Sequence, residues 1–264
     1  MSARLEGKVC LLMGGGSSGQ PDMPSNGEAV ARMFGREGAR VAVVDIDLAA
    51  ATASERQIQA EGGQAIAIRA DVSRHDQVKA AVQTALDVYG RIDILYNNVG
   101  IEAPGDVVST SEEAWDQVHA VNLKSVFLAC KEVVPLMAEQ GGGAIVNVSS
   151  LASLRWGPAE YIAYNSSKAA LNHMSRVMAR QYAPKGIRCN VIVPGMIATP
   201  HVQAMYQDKS AEEFAAIMRM RNAHCPMGRQ GSPWDIAHAA VFLASDEAAY
   251  VSGVLLEVDG ALGC

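Results

Sequence analysis

The chain has 264 residues, of which 49% are hydrophobic and 19% are charged, and its formal net charge is −6. This length suits one large α/β domain or two small ones, and the composition excludes intrinsic disorder as the main state. The acidic balance argues against the basic surface with which a protein binds nucleic acid or an anionic membrane. We therefore expect a protein that acts on a small molecule.

The cysteines and the N-terminus bear on the cellular compartment. Five cysteines are scattered without a CxxC pair, and so they predict neither a disulfide framework nor a zinc site. The N-terminal segment carries Arg4, Glu6 and Lys8 and no apolar stretch of signal-peptide length. No segment approaches the roughly 18 uninterrupted apolar residues of a membrane span. We expect a soluble protein in a reducing cytoplasm, with no metal.

Short apolar runs alternate with longer helix-type segments along the chain. The predicted strands are Val9–Met13, Arg40–Val44, Ala65–Arg69, Ile92–Tyr96, Ala144–Val148, Arg188–Val193 and Val254–Val258. The predicted helices are about Glu28–Glu37, Leu48–Ala60, His75–Tyr89, Glu112–Ala138, Tyr161–Tyr182 and Trp234–Ala244. Most strands are apolar throughout, which is typical of parallel strands covered on both faces. The pattern predicts an α/β fold with a Rossmann-like, doubly wound parallel sheet of about seven strands flanked by helices, in a single domain spanning residues 1–264.

The first strand runs into a glycine-rich turn before the first helix. Such a turn lets backbone amides approach a pyrophosphate near the helix N-terminus. The candidate cofactor-binding residues of this turn are Gly14, Gly16, Gly19, Asn26 and Gly27. Residues 20–26 stand where a tight turn normally has one residue, and so the glycine assignment stays open. The added stretch is either a bulge in solvent or a device that reshapes the pyrophosphate and substrate entrance.

An acidic residue follows the second strand. Asp45 lies at about the distance from Gly27 that is expected of the carboxylate that binds a ribose 2′-hydroxyl. Its charge would repel a 2′-phosphate, and so Asp45 favours NAD over NADP. The alternative is a cap for the next helix, although Asp47 is nearer the start of that helix.

Polar residues also follow the third and fourth strands. Asp71 and Val72 come after the third strand, and Asn98 and Gly100 come after the fourth. In an open parallel sheet, ligands bind at the carboxyl ends of the strands, and so these residues are candidate cofactor contacts. Taken alone, Asp71 is equally well explained as a helix cap or as an adenine contact.

Tyr164 and Lys168 stand four residues apart, which places a phenol and an ammonium on one face of a helix. A free phenol has a pKa of about 10, and an adjacent ammonium together with the cationic nicotinamide of the oxidised cofactor would favour the phenolate. Such a tyrosine can take a proton from an alcohol or return one to an alkoxide. The alternative is a packed tyrosine beside a solvated lysine.

Three further polar residues support the catalytic interpretation. Ser149 and Ser150 end the fifth strand, on the same sheet edge as the glycine turn, where a hydroxyl can donate to a substrate oxygen. Asn122 lies in a helical stretch, where asparagine is a mediocre helix former. A buried amide needs a partner, and a water bridged to Lys168 would be one.

These pieces together resemble a short-chain dehydrogenase/reductase of the single-domain, NAD-dependent type. The matching motifs, in family order, are the glycine turn, Asp45, Asp71-Val72, Asn97-Asn98-Val99-Gly100, Asn122, Asn147-Val148-Ser149-Ser150, Tyr164 with Lys168, Pro194-Gly195 with Thr199, and Ser252-Gly253 with Val258-Asp259-Gly260. They cover nearly the whole chain. The resemblance also implies NAD as cofactor and a homotetramer.

The resemblance implies a role for each matching residue. Tyr164 would be the acid/base, Ser150 would orient and polarise the substrate oxygen, and Asn122 would hold a proton-relay water. Lys168 would lower the pKa of Tyr164 and bind the nicotinamide ribose. Further cofactor contacts are implied at Asn98, Pro194, Gly195, Ile197 and Thr199, the last two through the carboxamide.

The chain departs from the family pattern at three places. Met13 stands where the family has a threonine, and the stretch after Gly19 breaks the usual glycine spacing. The separation between Ser150 and Tyr164 is one residue longer than the family leads us to expect. Ser149 is therefore the alternative catalytic serine, although the NxSS pattern favours Ser150.

Residues from about 195 to 228 are predicted to form a lid over the substrate. The candidate substrate-binding residues are Trp156, Tyr161, Met196, Met205 and Tyr206. Because methionine adapts to irregular pockets, these residues favour a bulky, largely apolar secondary alcohol or ketone, whether alicyclic, terpenoid, steroidal or aromatic. The alternative is that they pack the lid or a subunit contact. His201 and His224 are expected to be hydrogen bonders of the lid.

Two rival functions remain. A reductase of 3-oxoacyl thioesters or carrier-bound ketones would need a basic patch for an acidic carrier, which Arg219, Arg221 and Arg229 would supply. The acidic chain and Asp45 argue against it. A dinucleotide-binding regulator without turnover is the other rival, and the altered glycine turn is what keeps it open.

Overall fold

A computed structural model describes residues 3–20, 22–155, 157 and 160–264. Its seven strands are β1 (Val9–Met13), β2 (Arg40–Asp45), β3 (Gln64–Arg69), β4 (Ile94–Asn97), β5 (Gly143–Val148), β6 (Ile187–Pro194) and β7 (Leu255–Val258). They form one parallel sheet in the order β3-β2-β1-β4-β5-β6-β7. The predicted Rossmann-like sheet is confirmed.

The described part of the chain contains nine α-helices, most of which flank the sheet. They are α1 (Asn26–Arg36), α2 (Leu48–Ala60), α3 (His75–Tyr89), α4 (Glu112–His119), α5 (Ser125–Glu139), α6 (Ile162–Tyr182), α7 (Pro200–Ala204), α8 (Ala211–His224) and α9 (Pro233–Ala244). The sequence predicted one helix over residues 112–138. The structure instead divides it into α4 and α5 with a π-helical turn, Ala120–Lys124, between them. Among the described residues, none of the helices has the length and apolar character needed to cross a bilayer.

The sheet is buried on both faces because successive residues of a strand point to opposite sides. In β1, Leu11 and Met13 belong to the core beneath α3, α5 and α6, whereas Cys10 and Leu12 belong to the core beneath α1 and α9. This is why the strands read as continuous apolar runs in the sequence rather than as alternating ones.

The order of the strands determines where a ligand site forms. The chain winds outward in one direction from β1 through β2 and β3, and in the other from β4 through β7. The loops after β1 and β4 therefore separate at the carboxyl edge of the sheet and leave a crevice between them. Open α/β sheets bind ligands at such a switch point.

Candidate active site

The glycine turn after β1 packs closely against the start of α1. A Cβ atom at Gly27 would overlap the carbonyl oxygen of Gly14, and so α1 reaches this position only with glycine. The Asn98 amide nitrogen donates to the same Gly14 carbonyl, at 2.8 Å. Gly14, Gly27 and Asn98 thus join the loops on the two sides of the crevice, and they place the N-terminus of α1 at its edge.

The added residues form a side excursion, of which the structure describes 17–20 and 22–24. The Ser25 hydroxyl donates to the Gly16 carbonyl at 3.4 Å, so the ends of the excursion meet. Its base is held by the fully buried Glu28 carboxylate, which accepts hydrogen bonds from the Ser17 hydroxyl at 3.1 Å and the Ser18 amide at 3.0 Å. Of the two alternatives, the structure favours a bulge outside the crevice, because Ser25 and Asn26 line the crevice and residues 17–20 do not.

The predicted glycine contacts therefore divide into two groups. Gly14 lines the crevice and Gly27 packs beneath Gly14. Gly19 is exposed in the excursion and does not line the crevice. Its position therefore does not support its assignment as a cofactor contact. Gly16 does not line the crevice either, but its amide donates to Asp45 at 2.9 Å.

We expect Gly27→Ala to impair cofactor binding strongly. The added methyl group meets the backbone of Gly14 as well as the Asn98 amide nitrogen, and the backbone cannot yield as a flexible side chain can. We therefore expect a loss of roughly 1–3 kcal/mol in unfolding free energy. We also expect NADH binding to weaken by about tenfold or more, because α1 must move. The matched control is Gly19→Ala, whose φ of +76° makes alanine strained there too. Equal weakening of NADH binding in both variants, measured by fluorescence titration, would contradict this geometry.

A cavity of about 340 Å³ lies at the carboxyl ends of β2 and β3. Asp45 lines it, with its carboxylate accepting from the Gly16 amide at 2.9 Å and the Asp47 amide at 3.1 Å. Ile46 also lines it although its side chain is 62% exposed, an arrangement that offers an apolar surface to a flat ring. The sequence analysis did not predict Ile46 as a cofactor contact. The available signal was its position directly after Asp45, the acidic residue that ends β2.

Asp71 and Val72 line the same cavity. The Asp71 carboxylate accepts from the Ser73 amide at 2.9 Å and the Ser73 hydroxyl at 2.7 Å. It does not cap α3, whose N-cap residue is Arg74. The helix-cap alternative for Asp71 was therefore wrong, and its place in the cavity agrees with the other alternative.

A larger cleft of about 670 Å³ continues from this cavity through Asn98 and Gly100, which line both. Its walls include most of the remaining predicted cofactor and catalytic residues: Asn26, Ser150, Tyr164, Lys168, Pro194, Gly195, Ile197 and Thr199. The two cavities together form one extended site with a polar carboxylate end and a catalytic end. An extended site of this kind matches a dinucleotide.

Tyr164, Lys168 and Ser150 meet inside the cleft. Tyr164 and Lys168 lie one turn apart on α6, and the Lys168 ammonium is 5.8 Å from the centre of the Tyr164 ring. That ammonium is buried and donates to the Val148 carbonyl at 2.9 Å. A hydrogen bond joins the Ser150 and Tyr164 side chains. The packed-tyrosine alternative does not describe this arrangement, because both hydroxyls and the ammonium line open space.

The chain alone raises the pKa of Tyr164, and the predicted effect of the oxidised nicotinamide stays a prediction. Burial raises the pKa of the Tyr164 phenol above its ordinary value, and the charge of Glu102 raises it further. The hydrogen bond from Ser150 opposes this, but Lys168 makes no resolved contribution. The expected phenolate is therefore not favoured by the chain alone. Near neutral pH Tyr164 is a protonated phenol, the form that donates a proton.

The two candidate serines point in different directions. The buried Ser149 hydroxyl donates to the Ser153 hydroxyl at 3.1 Å and to the Lys168 carbonyl at 3.3 Å. Only the Ser150 hydroxyl reaches the phenol of Tyr164. The geometry therefore favours Ser150 over Ser149, as the NxSS pattern did.

Asn122 has partners other than the one predicted. It lies in the π-helical turn and is fully buried. Its amide nitrogen donates to the Ile101 carbonyl at 2.8 Å and the Ser167 hydroxyl at 3.1 Å, while its oxygen accepts from the Ile101 amide at 2.8 Å. The amide oxygen keeps a second lone pair, and so the water bridged to Lys168 stays a prediction. Asn122 fixes the loop after β4 against α6.

Burial lowers the pKa of Lys168 from 10.5 to about 8. The folded state thus binds this proton less tightly than the unfolded chain does. The protonated lysine therefore lowers the unfolding free energy most below pH 8, and this loss of stability disappears as the pH rises towards 10.5. We expect wild type to gain roughly 2–3 kcal/mol in unfolding free energy relative to Lys168→Met between pH 7 and pH 10. Denaturant unfolding of both proteins at the two pH values measures this difference. A constant difference would show that Lys168 keeps its ordinary pKa.

The predicted substrate residues are only partly brought together. Met196 lines the cleft. Tyr161 and Tyr206 lie close enough to interact, since Tyr206 contributes to the raised pKa of Tyr161, but neither lines the cleft. Met205 is 48% exposed and does not line it either, and Trp156 lies outside the described residues.

Three charged residues at the substrate end were not predicted as substrate contacts. Glu102, His201 and Arg221 line the cleft. His201 is a hydrogen bonder of the lid, as expected, and its Nε2 lies 3.2 Å from Glu102 Oε1. This contact raises the pKa of His201. Nothing in the sequence pairs two residues that are 99 positions apart.

Comparison with known proteins gives the family. A family model described as enoyl-(acyl carrier protein) reductase matches residues 23–262. The chain is 36% identical to the 2,5-dichloro-2,5-cyclohexadiene-1,4-diol dehydrogenase LinX of Sphingobium indicum, over 98% of both chains. It is 38% identical to the 3-oxoacyl-[acyl-carrier-protein] reductase FabG of Thermotoga maritima, over 98% of this chain and 99% of the relative.

Solved structures agree with these relatives. A structure from Burkholderia xenovorans assigned to the short-chain dehydrogenase/reductases has a TM-score of 0.93 and 41% identity, and covers 98% of both chains. Levodione reductase has a TM-score of 0.90 and 32% identity, over 98% of this chain and 99% of that one. The chain belongs to the short-chain dehydrogenase/reductase family. It is an oxidoreductase of CH–OH and carbonyl groups, in a family whose members bind NAD or NADP.

Proposed function

We propose that this chain is an NAD-dependent dehydrogenase that interconverts a bulky, largely apolar secondary alcohol and its ketone. The observation that carries the proposal is the meeting of Ser150, Tyr164 and Lys168 in a cleft that continues to Asp45. Among alicyclic, terpenoid, steroidal and aromatic substrates we favour alicyclic ones, because the relative LinX is named for a ring alcohol. The catalytic unit is one domain over residues 1–264, with the lid at about 195–228.

The residues present fit NAD. Asp45 would hold the adenosine ribose and exclude a 2′-phosphate. The start of α1 would hold the pyrophosphate with its backbone amides, since Ser25 and Asn26 line the cleft there. Lys168 would hold the nicotinamide ribose, with Ile197 and Thr199 at the carboxamide. When bound, NAD supplies the acceptor for the hydrogen that leaves the carbinol carbon.

The chain's own residues handle the proton. In the oxidative direction, the Tyr164 oxygen takes the proton of the substrate hydroxyl while Ser150 orients that hydroxyl. In the reductive direction, the protonated Tyr164 returns a proton to the forming alkoxide. Burial favours the neutral phenol. We therefore expect the rate of oxidation, which needs the phenolate, to rise at alkaline pH, and reduction, which needs the phenol, to proceed at neutral pH. Asn122 acts by positioning the loop after β4.

A reductase of 3-oxoacyl thioesters is the second candidate. The similarity to FabG and the place of Arg221 in the cleft favour it. However, Arg229 is within 3.5 Å of Asp235, whose carboxylate offsets part of the positive charge that an acidic carrier would need. A regulator without turnover is disfavoured by the assembled Ser150, Tyr164 and Lys168.

A screen of alcohols separates these functions. Purified protein is incubated with NAD or NADP and with cyclohexanols, terpene alcohols, sterols and benzylic alcohols, and reduced cofactor is measured. We expect turnover of ring alcohols with NAD and little with NADP. A parallel assay supplies a 3-oxoacyl thioester with NADH or NADPH and measures oxidised cofactor. Turnover confined to that assay would establish the second candidate. Firm NADH binding without turnover of any compound would establish the regulator.

We propose a homotetramer. Exposed apolar side chains on α4, α5 and α6 support it: Trp115 is 38% exposed, Phe127 52% and Val177 40%. Apolar residues concentrated on neighbouring helices are typical of a subunit interface. We expect sedimentation velocity to give the mass of four copies, and a sedimentation coefficient of a monomer would refute the proposal.

We place the protein in the cytoplasm. All five cysteines are free thiols, and Cys264 is exposed. Exposed thiols persist in a reducing compartment. Fractionation of the producing cells tests this location, and recovery outside the cytoplasmic fraction would contradict it.

A further inference from the structure

A carboxylate occupies the substrate end of the cleft without belonging to the catalytic group. Glu102 lies in the loop after β4, and its side chain is 30% exposed. His201 of α7 approaches it from the lid, with 3.2 Å between the imidazole nitrogen and the carboxylate oxygen, and is 67% exposed. Both residues line the same cleft as Tyr164. Glu102 is thus the more buried residue of this pair.

The Glu102 carboxylate retains acceptor capacity. Two carboxylate oxygens offer about four acceptor sites, and the contact with His201 uses one. Within the described ranges, no other side chain or amide donates to Glu102. Burial is the main cause of the raised pKa of Tyr164 and of Tyr161, and the charge of Glu102 adds to both rises, which agrees with its place in the same cleft as Tyr164. A ligand in the cleft is the available donor.

The surrounding charges restrict the kind of donor. Lys168 and Arg221 line the cleft, and neither has a carboxylate partner in the part of the chain that the structure describes. The Arg221 Nε donates to the Gln230 side chain at 2.7 Å, which holds that cation in place. Two fixed cations disfavour a substrate ammonium, and a substrate carboxylate against Glu102 would be repelled. A neutral hydroxyl meets neither obstacle.

We propose that Glu102, positioned by His201, accepts a hydrogen bond from a second hydroxyl of the substrate. The preferred substrates are then ring diols, with one hydroxyl at Tyr164 and Ser150 and the other at Glu102. This inference rests on the proposed alcohol dehydrogenase function. It makes Glu102 a specificity-determining residue, because a ring with one hydroxyl leaves the carboxylate without its donor.

The test compares kcat/KM for cyclohexanol with that for the cis and trans isomers of 1,2-, 1,3- and 1,4-cyclohexanediol. We expect wild type to prefer at least one diol by about tenfold or more, and Glu102→Ala to reduce that preference by about ten- to a hundredfold. Because both substrates use Tyr164, the ratio cancels any effect of Glu102 on the pKa of the phenol. Glu212→Gln, on the exposed face of α8, is the matched control and should keep the ratio.

Glu102→Gln keeps the shape of the side chain and one acceptor oxygen, and it provides the test should Glu102→Ala not fold. We expect it to lower the preference for the diol by less than Glu102→Ala does. Thermal melting and NADH titration establish that each variant is folded and binds cofactor.

The outcomes separate the subsite from the proposed function. Equal use of cyclohexanol and the diols by wild type, or a preference unchanged in Glu102→Ala, overturns the subsite and leaves the dehydrogenase standing. A wild-type preference for a ring hydroxy acid that Glu102→Ala increases identifies an anion subsite at Arg221 and also overturns it. No turnover of any ring alcohol or diol defeats the proposed function and, with it, the subsite.

Discussion

Tyr164→Phe should reduce kcat/KM for alcohol oxidation by about 10²- to 10⁴-fold, which is the usual range for loss of a general acid or base. Phenylalanine keeps the ring and its packing on α6 and removes only the oxygen that meets Ser150. We therefore expect NADH to bind the variant within about threefold of wild type, because the loss concerns proton transfer rather than binding. Steady-state rates and NADH titrations on the same preparations measure both quantities.

Tyr161→Phe is the control for this experiment. Tyr161 stands three residues earlier, immediately before α6, and does not line the cleft. We expect its substitution to change kcat/KM by less than about tenfold. If Tyr164→Phe itself retained activity within tenfold of wild type, Tyr164 would not be the acid/base, and the proposed proton transfer would fail.

Asp45→Asn should shift the cofactor preference by about a hundredfold towards the phosphorylated nucleotide. The Asp45 carboxylate lines the cavity at the carboxyl end of β2. A hydrogen bond to a charged group contributes about 1.5–3 kcal/mol, and removing the charge also removes repulsion of a 2′-phosphate. We expect wild type to bind NADH more tightly than NADPH and the variant to narrow or reverse this order. Dissociation constants from fluorescence titration give the ratio.

Asp47→Asn controls for the loss of a carboxylate near the same loop. Asp47 caps α2 by accepting from the Ala49 amide at 2.8 Å, and it does not line the cavity. It should leave the ratio of NADH to NADPH affinity unchanged. Tighter binding of NADPH than of NADH by wild type would show that Asp45 does not select the cofactor.

The fold was largely predictable because its signals are local. A strand buried on both faces reads as an apolar run, and β1 has the predicted bounds, Val9–Met13. The π-helical turn within residues 112–138 was not predictable in this way. Asn122 there is held by the main chain of Ile101 and by Ser167, contacts that exist only once the loop after β4 meets α6.

The site was predictable as far as its residues follow the ends of strands. Asp45, Ser150 and the pair on α6 reach the same edge of the sheet because the strands are parallel. The contribution of burial to the pKa of Tyr164 was not predictable, because it depends on how deeply the folded chain buries the phenol. The contact between Glu102 and His201 depends on the placement of the lid, which no spacing in the sequence encodes.

The central claim is that hydrogen leaves the carbinol carbon of a ring alcohol for NAD while Tyr164 takes the hydroxyl proton. Incubating wild type with NAD and a ring alcohol deuterated at the carbinol carbon, and then analysing the reduced cofactor by mass spectrometry, tests it most directly. The claim predicts one deuterium in the cofactor for each ketone formed. Ketone formed without deuterium in the cofactor, or no ketone from a protein that binds NADH, would contradict it.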